Sequence, residues 1–182
     1  GNLFGSVATV VFMYFTRQWV FADYQVGATA LSIANAKVNL PFSAAITRGM
    51  LCNALVCLAV WLTLSGRSVT DKILAILFPI TAFVASGFEH SIANMYFIPM
   101  GILLQGEPQV VEAAGYVGAD LIHLNLQGFI DNLIAVTTGN VFGGGFLVAA
   151  VYWFIYRRPK VRAAAERSRP AAPVEEHALA AD

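Results

Sequence analysis

The chain has 182 residues, 58% of them hydrophobic and only 12% charged, with a formal net charge of zero and a mean hydropathy of +0.66. Soluble domains carry about 25% charged residues, so an ordinary soluble globule is excluded, and there is no basic excess to hold nucleic acid. The apolar runs are continuous rather than alternating, which points to membrane helices and away from barrel strands. The expected class is an all-α, polytopic membrane protein.

Taken in order, the chain opens at Gly1-Asn2-Leu3-Phe4-Gly5, already inside a helix-like pattern and without an initiator methionine or signal peptide, as if sequence preceded it. A first span is expected at about 3–16, with Tyr14 and Trp19 as interfacial anchors. Residues 16–41 read as a mixed connector whose Ala-rich middle, 28–36, suits a short surface helix. Pro41 suits the first turn of the next helix. A second span is expected over 42–64, interrupted only by Thr47, Arg48 and Asn53. Cys52 and Cys57 lie inside it and read as small packing residues rather than a disulfide or metal site. Ser65-Gly66-Arg67-Ser68 is a tight turn, followed by Asp71 and Lys72.

The third span is the unusual one. Its halves, 73–86 and 94–104, carry no charge, yet between them lies Gly87-Phe88-Glu89-His90-Ser91-Ile92-Ala93. A hydrocarbon core takes roughly 20 helical residues, so the loop 87–93 falls in mid-membrane. Broken backbone at that depth is tolerated where it is buried in protein or lines a polar cavity, and an ionisable pair there marks a functional site. Residues 105–127 form a polar connector without lysine or arginine. The last span covers 129–156, with Tyr152, Trp153 and Tyr156 as an aromatic belt at its end. The membrane domain therefore runs over 1–157, and 158–182 reads as a disordered cytoplasmic tail. Six of the 11 basic residues lie after Tyr156, and Arg67 and Lys72 sit in the short turn, so both regions are expected on the cytoplasmic side.

Each candidate residue has a bland reading beside the sharp one. His90 can donate, accept or shuttle a proton near neutral pH, or simply bond a loop carbonyl. Glu89 needs a cation or a proton if buried, and Lys37 and Arg48 are the candidates; it can also serve only to tie the loop down. Lys37 stands alone in an uncharged stretch and could be a solvated lysine. Arg48 could snorkel. Asn53 and Asn140 could line a pore or glue helices together. Phe83, Phe88 and Val56 could form apolar constrictions or merely pack. Thr137, Thr138, Gly139 and Gly143 to Gly145 permit close helix contact. No phosphate-loop pattern and no metal-ligand spacing is found, and no cofactor is expected. A membrane enzyme using Glu89 and His90 as an acid/base pair would need a nucleophile or metal that the spans do not offer.

An internal repeat is also present. Gly1-Asn2-Leu3-Phe4-Gly5 resembles Gly139-Asn140-Val141-Phe142-Gly143, and the two run in opposite senses through the membrane. Inverted repeats with broken helices mark many transport folds. A counterpart of the Glu-His loop would lie as far before Gly1 as residue 87 lies before Gly139.

Gly87-Phe88-Glu89-His90-Ser91-Ile92-Ala93-Asn94-Met95, with Ile98-Pro99-Met100-Gly101, resembles the signature of the formate/nitrite transporter family. Asn132-Leu133-Ile134-Ala135-Val136-Thr137-Thr138-Gly139-Asn140 resembles its last-helix motif, with Ala135 where proline is common. Leu58-Ala59-Val60-Trp61, Ser65-Gly66-Arg67-Ser68 and Asp71-Lys72 resemble its formate-channel branch. The resemblance implies an aquaporin-like, inverted-repeat bundle with six spans and one pore per protomer, in a homopentamer of a bacterial inner membrane. It implies that His90 is the central pore histidine, that Glu89, Asn94 and Lys37 form a network behind it, and that Phe83 and Val56 form the outer constriction. Asn53, Asn140 and Thr137 are then polar pore residues. The implied function is passage of a small monovalent anion, formate first, with His90 hydrogen-bonding or protonating it. Nitrite or hydrosulfide is the alternative within transport, and a non-conducting membrane subunit the alternative outside it.

Overall fold

A computed structural model describes residues 1–158 and 160–161. Apart from Arg158, Lys160 and Val161, the tail expected to be disordered lies outside the described residues. The elements are helices α1 (Asn2–Phe15), α2 (Gln25–Val38), α3 (Phe42–Thr63), α4 (Val69–Ala85), α5 (Ser91–Leu104), α6 (Pro108–Ala113) and α7 (Leu126–Val141), with no strand among the described residues. The last helix continues beyond α7 in wider, π-helical turns over Phe142–Ala150 and Trp153–Arg157. Gly143-Gly144-Gly145 opens that stretch, where α-helical propensity is weakest. The 22 residues of α3 and the 32 of the helix Leu126–Arg157 are long and apolar enough to cross a membrane. Many of their outward side chains are apolar, among them Leu51, Val60, Ile134, Phe146 and Phe154, which suits contact with lipid.

Two packing systems hold the bundle. In the first, α5 lies between α1 and α2, and the buried side chains are Leu31, Ile98, Leu104, Val110 and Leu124. Here α2 runs antiparallel to α5, because Ala34 seats on Gly101 and the later Lys37 sits over the earlier Phe97. This corrects the expected surface helix at 28–36. Gly27, Ala28, Leu31, Ala34 and Asn35 are buried, and small residues let α2 lie close against α5. The connector 105–127 also turns inward. Pro108 starts α6, and Val110, Leu121 and Leu124 close the end of this core.

In the second system, α3 packs along α7 and its continuation. A Cβ on Gly139 would meet the Ile46 carbonyl, and one on Gly143 the Met50 carbonyl. Glycine is thus required where two backbones touch. Contacts advance together along both helices, from Ile46 with Gly139 to Trp61 with Tyr152 and Tyr156 (ring centroids 5.5 and 5.8 Å apart), so α3 and the last helix are parallel. Helix α4 packs back on α3 after a turn closed by a capping box. The Asp71 N–H donates to Ser68 Oγ (3.1 Å), and the Ser68 N–H donates to Asp71 Oδ2 (2.9 Å).

The two halves of the broken span are α4 and α5, and they pack on different neighbours. Gly87 stops α4. Its φ of +63° is the left-handed conformation of a helix C-terminus, with the Phe88 N–H on the Phe83 carbonyl (3.1 Å) and the Gly87 N–H on the Val84 carbonyl (3.0 Å). Helix α5 restarts at Ser91, with His90 as its N-cap. The break is therefore shorter than the expected 87–93, because the His90 carbonyl already accepts from the Asn94 N–H at 2.9 Å.

Candidate functional site

The five residues joining α4 to α5 are held from three sides. Asn140, buried on α7, spends its whole amide on them and on α3. Its Oδ1 accepts from the Ser91 N–H (2.9 Å), and its Nδ2 donates to the Glu89 carbonyl (3.0 Å) and the Gly49 carbonyl (2.9 Å). A helix start has N–H groups without partners in the helix, and α7 supplies the acceptor that His90 does not. Asn53 Nδ2 in turn donates to the Asn140 carbonyl at 2.6 Å.

The Glu89 side chain is 3% exposed, with its carboxylate between Lys37 of α2 and Asn94 of α5. Lys37 Nζ lies 2.9 Å from Oε1 and 3.1 Å from Oε2, and Asn94 Nδ2 donates to Oε2 at 2.6 Å. A carboxylate this deep requires a partner, and Lys37 is the one it has. Arg48, the other candidate, is exposed at the α3 surface. The ammonium of Lys37 also lies 5.6 Å from the centre of the Phe97 ring, within cation–π range.

His90 is half-buried at the head of α5. Its ring centroid is 6.2 Å from that of Phe83 at the end of α4, and among the described residues no hydrogen bond occupies the imidazole nitrogens. His90 and Phe83 thus face each other across the break. Val56 is half-buried on α3. Thr137 is not brought to this cluster. It is exposed on α7 and lines a separate groove of about 550 Å³ with Val141, Phe142 and Phe146.

Reasoning from sequence missed two residues. Asn132 Oδ1 accepts from Asn94 Nδ2 (2.8 Å), and its Nδ2 donates to the Lys37 carbonyl (2.9 Å). Its spacing from Asn140, eight positions on one helix, puts both on one face, and that was the available signal. Phe97 carried no signal, since an aromatic residue in an apolar helix is ordinarily packing.

A solved structure of a "pentameric formate channel with formate bound" matches with a TM-score of 0.79 at 44% identity, over 86% of this chain and 63% of that one. The fold is that of a helical, membrane-spanning channel. The formate/nitrite transporter family model matches residues 1–154. The formate channel FocA of Escherichia coli (strain K12) is 46% identical over 161 residues, 87% of this chain and 56% of that protein. The nitrite transporter NirC of Salmonella typhimurium is 35% identical over 173 residues, 94% of this chain and 55% of that protein. The chain spans about half the length of these curated relatives, and it belongs to the formate/nitrite transporter family.

Proposed function

We propose that this chain contributes the central part of a membrane pore for small monovalent anions, formate first, in the inner membrane of a bacterium and within a homopentamer. The carrying observation is the pairing of roles at the break. Glu89 is turned inward and neutralised by Lys37, while the adjacent His90 keeps its ring nitrogens uncommitted beside Phe83. A bare anion in a low-dielectric passage is costly. The positive end of the α5 dipole lies at His90, and the Lys37 ammonium lies behind it, so negative charge is favoured there. An imidazole can donate, accept or pass on a proton, so His90 can hydrogen-bond the anion or hand it a proton. The anion then crosses the apolar constriction as the neutral acid, and the barrier falls because charge is removed rather than solvated. Phe83 and Val56 supply that constriction. Asn53 holds the Asn140 carbonyl from the pore side, and Asn140 holds the loop.

In liposomes, His90→Phe is expected to lower formate flux by at least about tenfold, the effect of losing a positioned proton-transfer group, and to abolish its pH dependence. Wild-type flux with wild-type pH dependence in the variant would overturn the role of His90. Nitrite is the second reading, favoured by the similarity to NirC. Parallel flux measurements with formate, nitrite and lactate separate the two readings.

A further inference from the structure

A lysine side chain is long and rotamer-rich, so its charge stays in one place only where both of its ends are fixed. The ammonium of Lys37 is fixed by Glu89 and by the face of Phe97. Its backbone end lies in the last turn of α2, where carbonyls lack partners within the helix. Leu40 N reaches the Lys37 carbonyl only at 3.4 Å. The stronger donor comes from another helix, Asn132 Nδ2 at 2.9 Å.

The same Asn132 accepts from Asn94 Nδ2 at 2.8 Å, and Asn94 Nδ2 also donates to Glu89 at 2.6 Å. The bonds form a closed circuit: Lys37 ammonium, Glu89, Asn94, Asn132, Lys37 carbonyl. It joins α2, α5 and α7, and Asn132 is only 6% exposed within it. Its direction is fixed. Turning either amide over would set acceptor against acceptor, and Asn94 Oδ1 is left as a buried oxygen without a partner among the described residues. Lys37 and Asn132 also line one cavity of about 460 Å³ between α2, α3 and α7.

We infer that Asn132 is the positioning residue of Lys37. It fixes where the positive charge behind His90 sits, and it does so without touching the anion. Only the transport half of this inference rests on the anion-pore reading, because the placement of Lys37 can be measured without transport.

Two measurements on the full-length protein test it, using Asn132→Leu and the milder Asn132→Ser. In purified protein, labelling of Lys37 by a small amine-reactive reagent is followed by mass spectrometry, with the exposed Lys72 as internal reference. Loss of one hydrogen bond predicts about a fivefold faster reaction at Lys37 in both variants. In liposomes, the half-saturating formate concentration should rise by about fivefold, with maximal flux per folded protein held within about twofold. Unchanged Lys37 labelling in both variants overturns the inference. So does a fall in maximal flux, tracking the amount of folded protein, with half-saturation unchanged, since a scaffold role alone gives that result. If Asn132→Leu does not fold, Asn132→Ser decides. If the wild-type protein passes no formate, the pore reading fails, and the labelling result alone supports or overturns the positioning of Lys37.

Discussion

Asn53 and Asn140 carry the same side chain on facing helices, and the helices use them differently. Asn140 has both amide hydrogens and its oxygen engaged by backbone groups of α3 and of the break, whereas Asn53 is half-buried and reaches only the Asn140 carbonyl. Asn140 therefore has no hydrogen left to offer an ion, and its contribution is to hold the break in shape. Asn140→Leu leaves the Ser91 N–H and the Gly49 and Glu89 carbonyls without it and should cost roughly 3 kcal/mol, read as a lower midpoint of thermal unfolding in detergent. Asn53→Leu, which frees one carbonyl, should cost roughly 1 kcal/mol. At this scale the sequence was most legible where a residue was expensive. Glu89 and His90 stood out because ionisable groups in an apolar run demand a reason, and Glu89 demanded a cation that proved to be Lys37. Asn132 stood within the last-helix motif but was given no role of its own, because a neutral amide near a helix start is common and its two partners are distant in sequence. Thr137, on the same helix as Asn132 and Asn140, faces a different groove.

At the level of elements, the break between α4 and α5 was legible because both of its signals are local. Gly87 supplies the left-handed stop, and the charge pair follows at once. Helix α2 was misjudged for the opposite reason. Alanine and glycine have no periodic contrast to reveal a buried face, and only the partner surface on α5 shows that those small residues are there for close approach. The short α6 lies below the length at which a period can be read at all. The contact of α3 with α7 makes its own prediction. Gly139→Ala puts a methyl group against the Ile46 carbonyl, and overpacking of this kind should cost about 2 kcal/mol. Gly145→Ala, where nothing lies within 4 Å of the added carbon, should be neutral or slightly stabilising in the same unfolding assay.

For the molecule as a whole, charge placement and packing agree on one threading. Parallel α3 and α7 require their C-terminal ends to lie on one side, and the Arg67–Lys72 turn and the basic stretch from Arg157 lie at those two ends. Single cysteines at Ser65 and at Gln109, read with a membrane-impermeant thiol reagent on intact cells, should be protected and labelled respectively, in a background where Cys52 and Cys57 are replaced by alanine. Labelling at Ser65 would reverse the orientation. Within that frame the glycine contacts of α3 with α7 have a mechanical consequence. Gly139 and Gly143 receive the carbonyls of Ile46 and Met50 like teeth spaced one helical turn apart. An axial slide would carry the Ile46 carbonyl off Gly139 and onto Thr138 or Asn140, which have side chains, so the two long helices behave as a single stator. Any opening stroke then falls to α4 and to the five residues after it. Asn140 fastens the α5 end of the break to that stator, through the Glu89 carbonyl and the Ser91 N–H, while the other end is tied to it by the packing of α4 on α3.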